Sequence, residues 1–79
     1  MEDIRGYAAA RRVRVLSHGR DRMSQRGVTY GDLVHALMNT MDCEEGENGR
    51  WKVCSRDISG EPLTVILLFQ DGLLIVTVY

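Results

Sequence analysis

Three residues in the first third of the chain have side chains that could bind a phosphate and move a proton. His18, Arg22 and Arg26 are spaced four apart, so in a helix they lie on one face and drift by about 40° per step, with Arg20 off that line. Arginine binds phosphate through paired N–H donors, and histidine exchanges a proton near neutral pH. The spacing therefore predicts phosphate chemistry. The alternative, a structural His18 that bonds backbone at a strand–helix junction, stays open.

A second group of basic residues falls on one predicted strand. Arg50, Lys52 and Arg56 share a face because side chains alternate along a strand, and Trp51 and Val53 point the other way. If that face meets the cationic helix, the two form a basic groove that binds nucleic-acid phosphates without reading the base sequence. A solvated sheet face is the alternative.

Tyr79 ends the last predicted strand, where its phenol could stack on a base or assist proton transfer. A partly buried aromatic side chain is the plainer interpretation. We predict no metal site, because Cys43, Cys54, His18 and His35 lack the spacing of zinc ligands. His35 is expected at the surface, and the two cysteines are expected to be reduced.

The charge of the chain is divided between its two parts. The 79 residues include 10 Lys or Arg and 11 Asp or Glu, which gives a net charge of −1. Residues 4–26 carry seven arginines and one acid, a net charge of +6, whereas residues 27–79 carry three bases and eight acids, a net charge of −5. This separation favours an anionic partner for one face or an oppositely charged protein. A solvated arginine-rich helix is the alternative.

Length and composition predict one small domain, with 44% apolar residues. Residues 1–11 are interpreted as an N-terminal extension that can form a short helix, and residues 12–79 as a single domain. No apolar run approaches the roughly 20 residues that span a bilayer, and the first residues do not resemble a secretory signal. We therefore predict a cytoplasmic protein without a membrane partner.

Two consecutive helices, broken at Gly27, position the basic residues near the start of the chain. The first runs from Ser17 to Arg26, with Ser17 as N-cap and Gly27 as the left-handed residue that ends it. The second runs from residue 29 to residue 40, with Thr29 as N-cap and Asp32 at capping-box spacing. Its apolar stripe predicts a helix that packs on the core. The stripe consists of Leu33, Val34, Leu37, Met38 and Met41.

The rest of the chain predicts a sheet. Asp71 and Gly72 form a two-residue hairpin loop of type I′ between apolar strands. We predict an α+β fold in which two or three short helices pack on one face of a three- to five-stranded, mainly antiparallel sheet. The first strand is basic and the second acidic, and both suit sheet edges. The strands are placed at residues 12–16, 42–49, 50–58, 63–70 and 73–79.

Several segments resemble a known family. The runs HGRDRMSQRGVTYGDLVHAL, GRWKV, PLTVILLFQDG and IVTVY resemble the small bacterial family catalogued as domain of unknown function 4258, over about residues 13–79. That family is similar to the RelE-like and MqsR-like toxins of toxin–antitoxin pairs. The resemblance implies a compact RelE-like domain that cleaves messenger RNA without a cofactor and is restrained by a cognate antitoxin.

The resemblance and the residue patterns together give candidate roles. The acidic C-terminal part departs from the basic character of strongly ribosome-bound toxins. Whether the chain is an enzyme therefore stays open, and the alternative is a non-catalytic protein- or RNA-binding module with the same fold. The candidate catalytic residues are His18, Arg22, Arg56 and Tyr79, and the candidate nucleic-acid-binding residues are Arg20, Arg26, Arg50 and Lys52.

Overall fold

The chain folds into three α-helices and five strands, an α+β fold as predicted. The computed structural model describes residues 2–79, with side chains from residue 3 onward, and Met1 of the predicted extension lies outside this range. None of the helices in this range is long and apolar enough to cross a membrane. The elements in chain order are α1 (Glu2–Ala9), β1 (Val13–Val15), α2 (Ser17–Arg26), α3 (Tyr30–Met38), β2 (Asp42–Glu45), a short 3-10 helix (Glu47–Gly49), β3 (Trp51–Arg56), β4 (Pro62–Phe69) and β5 (Leu73–Val78).

The strands form one mixed sheet in the order β1-β5-β4-β3-β2. β2, β3, β4 and β5 pair antiparallel in turn, and β1 pairs parallel with β5. The basic β1 and the acidic β2 are therefore the two edges, as predicted. Between β4 and β5, Asp71 and Gly72 both have positive φ, 53° and 112°, as the predicted hairpin requires.

The core lies between one face of the sheet and the helices α1 and α3, which pack against each other. α1, interpreted from the sequence as part of an extension, places Ile4 and Ala8 in this same core. Burial of these apolar side chains is the main stabilising contribution to the fold. The largest fully buried side chains are Ile4, Leu33, Leu37, Leu63, Leu67, Leu73, Ile75, Val53, Val65 and Val78.

α2 lies against the edge of β5 rather than in a plain layer with the other helices. β1 ends at Val15, and α2 continues along the part of β5 that β1 leaves uncovered. Gly19 comes so close that an added Cβ would lie 3.2 Å from the carbonyl oxygen of Val76. Met23 is the only large buried side chain of α2. The predicted arrangement of all helices on one face is therefore not clearly found.

α3 begins as predicted, but α2 does not. The Thr29 hydroxyl accepts from the Asp32 N–H at 3.0 Å, and the Asp32 carboxylate accepts from the Thr29 N–H at 3.1 Å, which completes the capping box. Gly27 ends α2 with a left-handed φ of 68°. The predicted Ser17 cap is wrong, because Leu16 takes the N-cap position and no side chain caps the helix.

The apolar stripe of α3 is shorter than predicted. The helix ends at Met38, and the side-chain amide of Asn39 donates to the carbonyl oxygen of His35 at 2.8 Å. Met41 follows this break and is 63% exposed, so its assignment to the core-facing stripe was wrong. Met38 is also exposed, at 41%. His35 is exposed, as predicted.

Candidate functional site

The sheet face opposite the core carries the basic residues predicted on β3. Val53 and Ser55 are buried on the core side, so Lys52, Cys54 and Arg56 point to the opposite face, as the alternation predicted. We name this the open face of the sheet. The buried Ser55 hydroxyl donates to the carbonyl oxygen of a residue in α3 at 2.8 Å and fixes β3 against that helix.

A bulge in β5 turns Tyr79 toward the open face. Val76 is an extra residue that interrupts the pairing of β5 with β4. The extra residue shifts the alternation, so that Ile75 and Val78 both point into the core. Tyr79 therefore points the other way, and its backbone pairs with Thr64 through bonds of 2.8 and 2.9 Å. The bulge thus places the Tyr79 side chain, which is 46% exposed, on the face that carries the strand cations.

Two arginines from distant parts of the chain bond to carbonyls near the start of β4. Nη1 of Arg56 donates to the carbonyl oxygen of Gly60 at 2.9 Å, and Nη2 of Arg26 donates to that of Pro62 at 3.4 Å. The two acceptors are two residues apart in the chain, and Arg56 pairs with Pro62 in the sheet, so both guanidinium groups lie near the start of β4. A guanidinium has five N–H donors, so most remain for an anion.

Arg22 lies at the same end of the sheet. Its Nε is 3.5 Å from the carbonyl oxygen of Val78, and its side chain is half-buried. Tyr79 follows that residue directly, and Arg26 follows Arg22 by one helical turn. The structure thus gathers Arg22, Arg26, Arg56 and Tyr79 where β3 and β5 end and β4 begins. We name these four residues the sheet-end cluster.

Among the side chains of residues 3–79, no carboxylate forms an ion pair with the arginines of the sheet-end cluster. The ion pairs in this part of the chain join Arg12 to Asp71 and Lys52 to Glu44, and both lie elsewhere. In the turn beside Arg56, the carboxylate of Asp57 accepts a backbone N–H at 2.9 Å. An anion that reaches the cluster therefore meets arginines that form no ion pair with any described side chain.

The other predicted residues are not part of this cluster. His18 is exposed in the first turn of α2, about 12 Å along the helix axis from Arg26. Arg20 lines a groove beside β1. Arg50 and Lys52 line a hollow of about 420 Å³ on the open face. Lys52 is about 13 Å along β3 from the last residue of that strand.

Sequence reasoning missed Thr64, which faces the open side of the sheet between Cys54 and Tyr79. Cys54, Thr64 and Tyr79 form one row across the three strands, and Arg56 is two residues beyond Cys54 on the same face of β3. The available signal was its position as the one polar residue in the apolar run LTVILLF.

Two groups with shifted pKa values lie away from the cluster. The Asp32 carboxylate accepts hydrogen bonds from the backbone N–H groups of Thr29 and Ile58, and these bonds lower the pKa of Asp32. The bond from Thr29 has the larger effect. Burial raises the pKa of the Cys43 thiol. Both cysteines are free thiols. Cys43 points toward the core, whereas Cys54 points to the open face. Among the side chains described, those of residues 3–79, no group of three His, Cys, Asp or Glu could hold a metal ion.

Comparisons with known proteins do not assign the chain to a family. No protein-family model, curated protein or solved structure matches it. The resemblance to domain of unknown function 4258 and to RelE-like or MqsR-like toxins therefore stays a prediction. A functional proposal must rest on the site itself.

Proposed function

We propose that the protein is a toxin-like endoribonuclease that cleaves messenger RNA without a metal, as one member of a toxin–antitoxin pair. One observation carries the proposal: Arg26 and Arg56 bond to carbonyls two residues apart, with Arg22 and Tyr79 beside them. Guanidinium groups at the same end of the sheet are suited to hold a phosphodiester and to stabilise the negative charge of its transition state. Action in the cytoplasm and restraint by a cognate antitoxin belong to the same proposal.

The proposed reaction uses the 2′-hydroxyl group of the RNA as nucleophile. The 2′-oxygen attacks the adjacent phosphorus while its proton passes to a solvent water molecule. The bond from phosphorus to the 5′-oxygen breaks, and that oxygen receives a proton. The products are a 2′,3′-cyclic phosphate and a free 5′-hydroxyl. Arg26 and Arg56 stabilise the charge on the non-bridging oxygens, and Arg22 holds the neighbouring phosphate.

Position distinguishes the two candidates for proton transfer. Tyr79 belongs to the sheet-end cluster and shares the open face with Arg56, so its phenol can reach a phosphodiester held there. His18 is exposed at the other end of α2, one turn before Arg22. Tyr79 is therefore assigned to the leaving 5′-oxygen, and His18 acts only on an RNA strand that extends along α2.

The open face offers a path for the flanking nucleotides. An RNA strand that runs along β3 from Arg56 reaches the hollow lined by Arg50, Lys52 and Ile66. Nζ of Lys52 lies 4.0 Å from Oε1 of Glu44, which partly neutralises it. Arg50 is therefore a stronger phosphate contact than Lys52. The apolar floor provides a surface against which a base can pack.

Cleavage of an end-labelled single-stranded RNA tests the proposal. The purified protein, with a metal chelator present, should produce fragments that end in a cyclic phosphate. The same sequence with 2′-deoxyribose should stay intact, because it lacks the nucleophile. Arg56→Ala should slow cleavage by roughly 100-fold, the effect of removing one donor to a transition-state charge, and Tyr79→Phe by at least about tenfold. The matched control is Arg5→Ala, at an exposed arginine of α1, which should leave the rate unchanged.

The same experiment also tests the second candidate function, that of a non-catalytic RNA-binding module. The observation that favours it is that Arg22, Arg26 and Arg56 each donate to a backbone carbonyl, as purely structural arginines also do. Binding of the labelled RNA without products, weakened by Arg56→Ala, would support this function. Intact and unbound RNA at high concentration of a folded protein would rule out both.

A further inference from the structure

One side of β1 has no strand beside it. β1 bonds to β5 through its flanking residues: the carbonyl of Arg12 accepts from the Leu73 N–H at 2.9 Å, and the Leu16 N–H donates to a carbonyl of β5 at 3.0 Å. Because backbone groups alternate in direction along a strand, Val13 and Val15 point their N–H and C=O groups away from β5. No other backbone group within residues 2–79 bonds to them. β1 therefore offers backbone hydrogen bonds to an added strand.

An apolar groove of about 660 Å³ lies beside this edge. Val13 and Val15 line it on the side of the sheet. Met23 and Val28, both largely buried, line it on the side of the helices, together with Tyr30, which is 43% exposed. A peptide added to a sheet edge gains affinity from backbone bonds and specificity from pockets for alternate side chains. The edge and the groove together provide both.

The groove is cationic where it is not apolar. Arg14 and Arg20 line it, and neither forms an ion pair with a carboxylate in the described part of the chain. Arg14 points toward the open face, opposite to Val13 and Val15. An added strand would place one alternate set of side chains beside Arg14 and the other set in the apolar groove. The complementary strand therefore alternates acidic and apolar residues.

The other edge of the sheet has the opposite charge. β2 exposes Asp42, Glu44 and Glu45, so it repels an acidic strand that β1 attracts. β2 of a second copy of this chain is a poor occupant of the groove. Its residues on the core side are Cys43, already half-buried against its own core, and the charged Glu45. The charge difference therefore selects a separate acidic segment for β1.

We propose that β1 and the groove beside it bind an extended acidic segment of another protein as a sixth strand, with alternate apolar side chains in the groove. This proposal does not depend on ribonuclease activity, because the groove contains no residue of the sheet-end cluster. It assigns to the Arg14 side chain a role in recognising a carboxylate.

A designed peptide tests the proposal. Acetylated and amidated Glu-Val-Glu-Val-Glu-Val is titrated into the isotope-labelled full chain, and amide signals are followed by NMR. We expect saturable shifts centred on Val13 and Val15. The block peptide Glu-Glu-Glu-Val-Val-Val and the basic peptide Lys-Val-Lys-Val-Lys-Val should produce none there. A strand exposes alternate amides at each edge, so N-methylation of one alternate set should abolish binding and methylation of the other should preserve it.

Charge reversal in the protein provides the complementary measurement. Arg14→Glu should weaken the binding of the alternating peptide by about tenfold, because a like charge then faces the acidic side chains. The matched control Arg5→Glu, on α1, should leave the dissociation constant unchanged. The spectrum of each variant shows directly whether it is folded.

Three outcomes would overturn the proposal. The first is equal binding of the block peptide, and the second is a set of shifts at β2 instead of β1. The third is the appearance of the β1 shifts when the protein alone is concentrated, since the occupant would then be a second copy. Arg56→Ala should bind the alternating peptide normally, so a failure of the ribonuclease proposal and a failure of this one are distinguishable.

Discussion

Helices α2 and α3 follow one another in the chain, yet different contacts hold them. Four of the nine residues of α3 are buried, and a capping box fixes its start. α2 has only Gly19 and Met23 buried among ten residues, and no side chain caps it. α3 is therefore stabilised by its own side chains, whereas α2 depends on the strand edge it lies against.

The comparison shows how a strongly cationic helix is kept in place. A polar helix of ten residues is not stable alone in water. Gly19 lets the helix backbone approach the carbonyls of β5, and Met23 anchors it in the core. Arg22 then bonds to the carbonyl of the last residue of β5, and Arg26 to that of the first residue of β4. The contacts that hold α2 are thus also the contacts that bring its guanidinium groups to the sheet-end cluster.

An added methyl group at Gly19 should break the docking of α2. Its Cβ would lie 3.1 Å from Cγ1 of Val15 and 3.2 Å from the carbonyl oxygen of Val76. Helix propensity would stabilise the variant by up to ~1 kcal/mol, but overpacking costs about 1–3 kcal/mol. We expect Gly19→Ala to lower the free energy of unfolding by about 1 kcal/mol, the net of these two effects. Urea denaturation measures this change.

Gly6 is the matched control for that substitution. It is exposed in α1, and no atom lies within 4 Å of an added Cβ. Gly6→Ala should therefore raise the free energy of unfolding by up to ~1 kcal/mol. Equal stabilisation by Gly19→Ala and Gly6→Ala would show that α2 does not depend on close contact with β5.

Removal of a hydroxyl group at the start of each helix sharpens the comparison. Thr29→Ala should destabilise the protein by about 1 kcal/mol, because it opens the capping box of α3. Ser17→Ala should change stability by only a few tenths of a kcal/mol, because the Ser17 side chain caps nothing. Thermal denaturation followed by circular dichroism compares the two variants. A cost at Ser17 as large as that at Thr29 would contradict the assignment of the caps.

The parts of the fold that could be predicted from the sequence are those with local signals. The capping box of Thr29 and Asp32 and the left-handed Gly27 follow from patterns a few residues long. The parallel pairing of β1 with β5 joins Val13 to a residue sixty positions further on, which no local pattern encodes. No local pattern predicts the bulge at Val76 either, because a bulge arises from the pairing of two strands.

The candidate site was predictable residue by residue but not as an arrangement. Periodicity placed Arg26 on a helix and Arg56 on a strand, and both positions are confirmed. Their placement near the start of β4 depends on how α2 lies against β5, which is a tertiary property. Arg20 was predicted to lie off the line of His18 and its neighbours, and the structure places it in the groove beside β1.

The smallest expected effect concerns the pH dependence of the α3 cap. Hydrogen bonds from the N–H groups of Thr29 and Ile58 lower the pKa of Asp32 in the folded protein, whereas an unfolded aspartate has a pKa of about 3.9. The unfolded chain then binds the proton more readily. The stabilising contribution is therefore complete above about pH 5 and is lost as the pH falls through the lowered folded pKa. α2 has no acidic residue in its first turn and should show no such dependence.

Asp32→Asn isolates this contribution. The difference in free energy of unfolding between the original protein and the variant should be constant from about pH 7 to pH 5 and should shrink below about pH 4, because protonation makes the two side chains alike. Urea denaturation at a series of pH values measures it. Ser17→Asp provides the converse test, since it adds at α2 a carboxylate that can accept from free N–H groups of the first turn. A difference at Asp32 that stays flat down to about pH 3 would mean that the Thr29 and Ile58 bonds do not favour the ionised carboxylate.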